Sequence, residues 1–350
     1  MPKGLFKTAK PKPADLVRAL RGCLSNLERD ARVEKTQEEC NKLLREVKTA
    51  LFGEGDMEPV PETVYCLTQE ALKDEFLRVL ILSIPRLDLE GRINSSRILA
   101  GLQRQKVDGD FPVVRYLEMS PGILDFLVAI YERTELALIS GTILRECIRS
   151  KRLASYLLYS QSDLERFFSY VDVANFDVAS DAFATFEELL TRHEEMVAQF
   201  LQVKHTWFFE RFNNLLQSKY ITKRQAIQLL RRMLQIPAND AVKQRYVSDA
   251  NNLMIIMNLF REASKSINTE AFHVFRAFVA NENKPPEIAS ILYSNRDKLL
   301  SFFSSFVASD DPRFDEDKAE VLSEIRKWPE RIITAPLAPA AVPRAASAVV

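Results

Sequence analysis

The sequence predicts an all-α fold, a right-handed solenoid of helical repeats of the armadillo or HEAT type. Three observations support this prediction. Glycine is scarce, with 9 residues in 350, whereas soluble proteins average about 7% and nucleotide-binding α/β folds use glycine in phosphate loops. Apolar residues recur at three- and four-residue steps, the pattern of amphipathic helices. The helices themselves recur every 41 to 47 residues, which is typical of armadillo and HEAT units.

The repeat is first visible in helices that carry two apolar residues four positions apart. Residues at this spacing lie on the same helix face, so each pair marks one buried face. The first members of successive pairs are separated by 47, 41, 44, 45 and 46 residues. The six pairs are Phe76/Leu80, Ile123/Leu127, Leu164/Phe168, Phe208/Phe212, Leu253/Met257 and Leu299/Phe303.

A second series marks another helix of each repeat by a small residue with a large apolar residue one or two positions later. The small residues are spaced by 45, 41, 44 and 45 positions. A small side chain lets the neighbouring repeat approach, and the apolar residue fills the space between layers. Both series therefore indicate the same unit of two or three helices. The small residues are Ser96, Gly141, Ala182, Ala226 and Ala271.

These repeats organise the chain into three predicted segments. Residues 1–12 form a flexible N-terminal segment, 13–328 form one armadillo-like helical-repeat domain, and 329–350 form a disordered tail rich in Ala and Pro. Within the domain we expect an atypical N-terminal cap to about residue 60, followed by six repeat units. An acidic loop at 52–62 joins the cap to the first unit.

Composition and charge exclude several classes of partner. The chain has 48 Lys and Arg against 48 Asp and Glu, so it lacks the surplus of cations that nucleic-acid and anionic-membrane binders need. No apolar run approaches the roughly 18 residues of a membrane span, and no signal peptide precedes the first helix. We therefore expect a cytoplasmic protein with no nucleic-acid partner and no integral membrane association.

Residues that could carry chemistry are few and scattered. Cys23, Cys40, Cys66 and Cys147 show no C-x-x-C pairing, so we expect four free thiols in a reducing cytosol. None of the metalloprotease, hydrolase, phosphate-loop or dinucleotide motifs occurs, and the turn at 107–111 lacks most ligands of a calcium loop. The sequence predicts no enzyme activity, no catalytic residue, no metal site and no cofactor.

Cations gather instead on the helices that carry the series of small residues. If the acids lie elsewhere, these residues form a basic inner face that favours an acidic or mixed-charge protein surface. Aromatic residues near them, including Phe176 and Tyr220, complete the composition of an interface hot spot. The cations are Arg145, Arg149, Lys223, Arg224, Arg231, Arg232, His273, Arg276 and Lys284.

Long ordered stretches of this sequence resemble the calcium-binding protein 39 family, also called Mo twenty-five. Weaker similarity extends from PADLV at 13–17 to about residue 328. The stretches that carry the resemblance are ILRECIRS (143–150), FFSYVDVANFDVASDAFATFEELLTRH (167–193), YITKRQAIQLL (220–230) and NTEAFHVFRAFVANENK (268–284).

The resemblance implies a cytoplasmic, non-catalytic scaffold. Members bind kinases and pseudokinases of the sterile-twenty group on a concave face and hold them in an active-like conformation. In animals they complete a ternary complex with the pseudokinase STRAD and a further kinase, liver kinase B, and fungal relatives act in polarised growth. The expected function is therefore kinase activation in signalling for cell polarity or growth. The alternative is a helical-repeat adaptor that tethers protein partners without activating a kinase.

The resemblance also implies two binding sites. The concave contacts match at Phe176, Tyr220 and Arg224, and the cation series adds Lys223 and Arg231 to this face. A pocket for a Trp-Glu-Phe peptide of the partner's tail matches at Met257 and Lys298, and we place Leu253 beside them. A polarisable Met suits an aromatic anchor, and Lys suits an acidic group. The sequence departs from the family's contacts at Gln228, Pro237, Asp240, Met254 and Ser294.

Overall fold

The computed structural model describes residues 12–27, 33–55, 57–306 and 312–328. Every regular element in these ranges is a helix, and none of the described residues belongs to a β-strand. The all-α helical-repeat prediction is confirmed. The predicted N-terminal segment, apart from Lys12, and the predicted tail at 329–350 lie outside the described residues.

The chain divides into two compact units, Met1–Asn239 and Asp240–Val350. The first unit opens with two helices, α1 (Pro13–Asn26) and α2 (Val33–Phe52). Four groups of three helices follow. They are α3 (Pro61–Ala71), α4 (Phe76–Ser83) and α5 (Leu89–Gln103); α6 (Pro112–Glu118), α7 (Gly122–Ala129) and α8 (Thr134–Ile148); α9 (Lys151–Tyr159), α10 (Gln161–Tyr170) and α11 (Phe176–Thr191); and α12 (Glu194–Val203), α13 (His205–Leu215) and α14 (Tyr220–Gln235).

The second unit contains two further groups of the same kind. The first is α15 (Asp240–Tyr246), α16 (Ala250–Leu259) and α17 (Lys265–Ala280). The second is α18 (Pro286–Ser294), α19 (Arg296–Ser305) and α20 (Pro312–Arg326). Single 3-10 turns follow α4, α7 and α14, at Ile84–Arg86, Ile130–Glu132 and Pro237–Asn239.

Local sequence signals set where the helices begin. Five of them, α1, α3, α6, α18 and α20, start with a proline, whose missing N–H would have no partner in the first turn of a helix. Three of the third helices, α5, α11 and α17, begin instead with side-chain caps. Asp88 accepts a hydrogen bond from the Gly91 N–H (2.8 Å) before α5, and Asn175 accepts one from the Val178 N–H (3.2 Å) before α11.

Like helices of successive groups pack on one another within the first unit. The third helices form the series α5, α8, α11 and α14, with α2 preceding them, and the second helices form the series α4, α7, α10 and α13, with α1 preceding them. The apolar pairs predicted from the sequence lie on the second helices, and the small residues lie on the third helices. Ser96, Gly141, Ala182 and Ala226 are all buried where neighbouring third helices meet.

Gly141 is small for a more specific reason than close helix packing. The Asp181 carboxylate enters the contact between α8 and α11, where it accepts hydrogen bonds from the Tyr131 hydroxyl (2.9 Å) and the Arg145 guanidinium (2.9 Å). Arg145 also donates to the Thr185 hydroxyl (2.7 Å). A Cβ at Gly141 would overlap both the Asp181 carboxylate and the Tyr131 hydroxyl. Glycine therefore makes room for a buried polar network that joins two repeats.

The prediction of four free thiols is wrong for two of the cysteines. Cys23 of α1 and Cys40 of α2 form a disulfide, with their Cα atoms 5.8 Å apart. The bond forms because α1 packs along α2, a tertiary contact that no local cysteine motif encodes. Cys66 is an exposed free thiol and Cys147 a buried one. Burial raises the pKa of the Cys147 thiol to about 12.

Candidate partner-binding surfaces

The first residues of α11 and α14 expose two aromatic side chains. Phe176 is 59% exposed and Tyr220 is 52% exposed. Each precedes the first buried residue of its helix by two positions, Val178 in α11 and Thr222 in α14. Because the buried face starts only at those positions, both rings remain at the protein surface. The apolar surface of a ring exposed to this degree is removed from water only when another molecule covers it.

Asp172 ties the start of α14 to the loop before α11. Its carboxylate accepts hydrogen bonds from the Ser218 hydroxyl (2.5 Å) and the Thr222 hydroxyl (2.8 Å). Phe176 lies four residues after Asp172, and Tyr220 lies between the two hydroxyl residues. The two aromatic side chains are therefore carried by segments that one carboxylate holds together.

The exposed side of α14 continues from Tyr220 along the helix. Tyr220, Arg224, Gln228 and Arg231 follow at four-, four- and three-residue steps, which places them on one helix face. Arg224 is exposed, and the part of the chain that the structure describes gives it no hydrogen bond or ion pair. Arg231 is half-buried, and so is Lys223, the residue before Arg224. We call Phe176, Tyr220 and Arg224 the α11–α14 surface.

The expectation of a basic inner face, with the acids elsewhere, is wrong for three of its six cations in the first unit. Three of the five arginines expected there are held by carboxylates of the third helices, two of them on a neighbouring third helix. Such pairing neutralises their charge at the surface. The sequence reasoning counted cations along the helices and missed the acids placed one repeat away. The pairs are Arg145 with Asp181, Arg149 with Glu146 and Arg232 with Glu187.

Cations of the predicted basic face also have polar partners in the second unit. Arg276 of α17 contacts two carboxylates of α20, at 2.5 Å from Asp317 and 3.0 Å from Glu320. Lys284 donates a hydrogen bond to the Asn281 carbonyl oxygen (2.6 Å), and burial lowers the pKa of its ammonium group. The α11–α14 surface therefore differs from most of the predicted face in keeping an arginine without an acidic partner.

The predicted peptide pocket falls on α16 and α19 of the second unit. Phe260, at the end of α16, contacts the Phe302 ring of α19 with 5.3 Å between the ring centroids. Met257 and Lys298 each lie about one helical turn before these rings, Met257 half-buried and Lys298 exposed. Met254, a departure from the family's pattern, is 45% exposed on the same helix. A flexible apolar side chain and a cation thus lie on adjacent helices.

Not every residue predicted for this pocket has surface to offer. Leu253 is 0% exposed and packs in the core of the second unit, so the placement of Leu253 in the pocket has no exposed side chain to support it. Among the other departures, Pro237, Asp240 and Ser294 are exposed, and the Asp240 carboxylate pairs with Lys243 (2.7 Å).

Groups that could support metal chemistry do not converge in the described ranges. No cluster of three or more His, Cys, Asp or Glu side chains there could hold a metal ion. His193 has a structural role, since its Nε2 donates a hydrogen bond to the Ile148 carbonyl oxygen (2.8 Å). None of the helices in these ranges combines the length and the apolar character needed to cross a bilayer.

Comparison with known proteins decides the family. The family described as Mo25-like matches residues 4–329 of the chain. The chain belongs to the Mo25-like family. A MO25-like protein of Arabidopsis thaliana is 47% identical over 334 residues, which cover 92% of this chain and 97% of that protein. The human protein named calcium-binding protein 39-like is 40% identical over 326 residues, covering 92% and 96%.

More distant members of the Mo25-like family also match along nearly their whole length. The Mo25-like protein of Schizosaccharomyces pombe is 37% identical over 326 residues, covering 92% of this chain and 99% of that protein. Among solved structures, a computationally designed armadillo repeat protein covers 76% of this chain with 15% identity and a TM-score of 0.47. Membership in the Mo25-like family supports a scaffold-type protein that binds other proteins.

Sequence reasoning missed one residue that positions the α11–α14 surface in this Mo25-like protein, Asp172, and one that joins α11 to α14 elsewhere, Glu187. No local motif marks either residue. A signal was present in the sequence, because Asp172 precedes its partner Ser218 by 46 residues, about one repeat. Pairs of polar residues separated by one repeat period are therefore candidates for contacts between neighbouring repeats.

Proposed function

We propose that this chain is a non-catalytic scaffold that binds sterile-twenty-type kinases or pseudokinases through the α11–α14 surface and stabilises their active conformation. The observation that carries the proposal is the combination of two exposed aromatic rings, Phe176 and Tyr220, with Arg224, a cation that has no partner in the described residues. Aromatic and arginine side chains dominate the energetics of protein interfaces. The proposed location is the cytoplasm.

A second attachment is proposed at α16 and α19 of the second unit. Met257 would contact the aromatic side chains of a peptide from the partner's tail, and Lys298 would pair with its acidic residue. Two contacts on one chain raise the effective concentration of the second once the first has formed. The tail peptide therefore supplies affinity, whereas the α11–α14 surface contacts the kinase fold.

Activation follows from population shift. A kinase domain exchanges between inactive and active-like arrangements, and a scaffold favours one of them only by the difference in its affinity for the two. We propose that Phe176, Tyr220 and Arg224 contact a surface that is complete only in the active-like arrangement. A scaffold that binds both arrangements equally is the tethering adaptor, the alternative function.

Binding to a sterile-twenty-type kinase domain encoded in the same genome tests the proposed surface. Calorimetry should show Arg224→Ala weakening the complex by about 1–3 kcal/mol, the usual range for an interface arginine. Arg18→Ala on α1 is the matched control, since it removes an exposed arginine from another face. If parent, Arg224→Ala and Arg18→Ala bind alike, the surface is misassigned.

The tail pocket has its own test. A peptide from the partner's C-terminal tail should bind the parent and bind Met257→Ala about tenfold less tightly, because truncation removes one apolar anchor. Met119→Ala, at the end of α6, removes an exposed methionine of the first unit and should leave peptide binding unchanged. Equal affinity of the parent and Met257→Ala for the peptide would remove Met257 from the site.

A further inference from the structure

Five arginine side chains converge on one cavity of the first unit that the proposed kinase contact does not use. The cavity has a volume of about 940 Å³ and lies where α5 and α8 end and α9 begins. Its cationic lining comes from segments far apart in the sequence. The arginines are Arg104, Arg115, Arg149, Arg152 and Arg192.

Three carboxylates line the same cavity and hold most of these arginines in place. Glu146 accepts two hydrogen bonds from Arg104, from Nε (2.9 Å) and from Nη2 (2.6 Å), and its Oε1 lies 3.4 Å from Nε of Arg149. Its hydrogen bond and its charge raise the pKa of Arg104. A guanidinium has five N–H donors, so Arg104 and Arg149 keep further donors for a ligand.

Each of the other two carboxylates forms an ion pair with one arginine. Glu118 pairs with Arg152 (3.2 Å), and Asp110 pairs with Arg115 (2.8 Å). A tight turn fixes Asp110, with Gly109 before it at a φ of +89°. Five cations against three acids leave the lining with a net charge of +2, and Glu188, outside the lining, pairs with Arg192 (2.5 Å).

The helix dipole accounts for the position of some of these arginines but not of all of them. Arg104, Arg149 and Arg192 follow the last residues of α5, α8 and α11, where the helix dipole favours cations. Arg152 is the second residue of α9, where the dipole favours an anion instead. Glu118 supplies part of that anion, since it accepts hydrogen bonds from Ser150 (3.0 Å) and Arg152 (3.2 Å), and a bound anion would use the remaining donors of Arg152.

A buried amide belongs to the cavity wall. Gln103 lines the cavity and is only 4% exposed. Apart from the neighbouring Cys147 thiol, its amide nitrogen and oxygen have no hydrogen-bond partner among the described residues. Buried polar groups rarely lack partners, so the cavity wall holds an amide with unused hydrogen-bonding capacity.

We propose that this cavity binds the phosphate group of a phosphorylated serine or threonine in a segment of a protein partner. A phosphate monoester carries a charge of about −1.5 to −2 and three acceptor oxygens, which matches the net charge of the lining and the remaining arginine donors. The exposed ring of Phe111, at the rim, provides apolar surface for the flanking peptide. The inference rests on the proposed function only in taking a protein as the partner.

Two short peptides that differ by one phosphate test the site on the full chain. The probes are N-acetyl-Gly-Gly-phosphoserine-Gly-Gly-amide and the same peptide with serine. The ³¹P resonance of the first should shift and saturate on titration, and calorimetry should show at least about tenfold weaker binding of the second, since charge-assisted hydrogen bonds are lost. Equal affinity for the two peptides, or no saturable ³¹P shift, overturns the proposal.

Paired arginine variants locate the binding. Arg149→Gln with Arg152→Gln should weaken phosphopeptide binding by about tenfold or more, because two of the five cations are removed. Arg45→Gln with Arg133→Gln is the matched control, since it makes the same change of net charge at two exposed arginines paired elsewhere. Circular dichroism establishes that both double variants fold. Loss of phosphopeptide binding in the control pair, or none in the cavity pair, overturns the assignment.

Binding experiments with inorganic phosphate and with lipid vesicles distinguish a phosphopeptide from other sources of phosphate. Inorganic phosphate that binds as tightly as the phosphopeptide would show a site for a free anion and overturn the peptide assignment. Binding to phosphatidic-acid vesicles that the cavity variants abolish would assign the site to a membrane surface. The cavity variants leave Arg224 intact, so an unphosphorylated kinase domain should still bind them. Failure of kinase binding alone would contradict only the proposed function.

Discussion

The side chains that one repeat packs against the next determine which residue can stand at some positions of this fold. Gly141 is the clearest case, because the Asp181 carboxylate and the Tyr131 hydroxyl occupy the space where its side chain would lie. Sequence periodicity predicted a small residue there but gave packing between helices as the reason. The structure shows a buried polar network, and such networks respond strongly to the loss of a single contact.

Replacing Gly141 by alanine should therefore destabilise the first unit. Alanine favours a helix by about 1 kcal/mol relative to glycine, but the overlap would displace the Asp181–Arg145 pair. We expect a net loss of about 2–4 kcal/mol in the free energy of unfolding, because overpacking and the disturbance of a partly buried ion pair combine. Urea unfolding followed by circular dichroism measures the change.

Gly122→Ala provides the control for Gly141→Ala. Gly122 begins α7, and an added Cβ there would meet no atom within 4 Å. Its replacement should be neutral or stabilising by up to about 1 kcal/mol. If both alanine variants unfold at the urea concentration of the parent, the Gly141 contact is not as described.

Pairs of helices depend on polar residues that cross from one group to the next. The contact between the start of α14 and the loop before α11 depends on Asp172, which accepts from both Ser218 and Thr222. The same two segments carry Phe176 and Tyr220. The Asp172 carboxylate therefore affects both the positions of the two rings and the stability of the contact between these segments.

Asp172→Ala should lower both stability and partner binding. Two hydroxyl groups would lose their acceptor, which we expect to reduce the free energy of unfolding by about 1–3 kcal/mol. Calorimetry should also show weaker binding of the kinase domain, because Phe176 and Tyr220 lose their common support. Asp172→Asn keeps an acceptor oxygen and should lie between the parent and Asp172→Ala. Unchanged kinase binding by Asp172→Ala would mean that the carboxylate does not position the two rings.

A pair of carboxylates makes the packing of α7 and α10 depend on pH. Asp163 is buried in α10 near Asp125 of α7, which accepts a hydrogen bond from the Tyr156 hydroxyl (2.7 Å). Burial raises the pKa of Asp163 above its ordinary value of 3.8, and the Asp125 carboxyl raises it further. The folded state therefore holds this proton more tightly than the unfolded chain does.

The sign of the pH effect follows from that difference. The contribution of Asp163 to stability is greatest below its ordinary pKa and is lost as the pH rises through its raised folded-state pKa. Asp163→Asn should remove this decline and raise the free energy of unfolding at neutral pH by up to about 1 kcal/mol. Urea unfolding of the parent and variant across the acidic range measures it. A parallel pH dependence in the two proteins would contradict the prediction.

At the scale of the whole molecule, the sequence predicted the fold class and the places of the two helix series. Apolar spacing reports which helix face is buried, and a repeat period reports the succession of units. Charges were harder to predict, since Arg232 meets Glu187 only after α11 and α14 pack. The Cys23–Cys40 bond likewise depends on the packing of two consecutive helices, and the arginine cavity depends on contacts between segments distant in sequence.

The residues proposed for partner binding differ in exposure for a related reason. Phe176, Tyr220 and Arg224 are exposed, as an interface requires, because they occupy helix positions outside the apolar face. Leu253 shares the spacing of the buried series and is itself buried. Spacing alone assigns a residue to a helix face, and only the packed structure shows whether a neighbouring helix covers that face.

We propose that the scaffold binds the active-like kinase more tightly than the inactive one. Linkage then requires that ATP and the scaffold strengthen each other's binding to the kinase by the same factor, typically about 5–150-fold. The decisive measurement is the dissociation constant of the scaffold–kinase complex by calorimetry, with and without a non-hydrolysable ATP analogue. We predict tighter binding with the nucleotide for the parent. Equal constants under the two conditions, with a stable complex in both, would contradict the claim and indicate a tether.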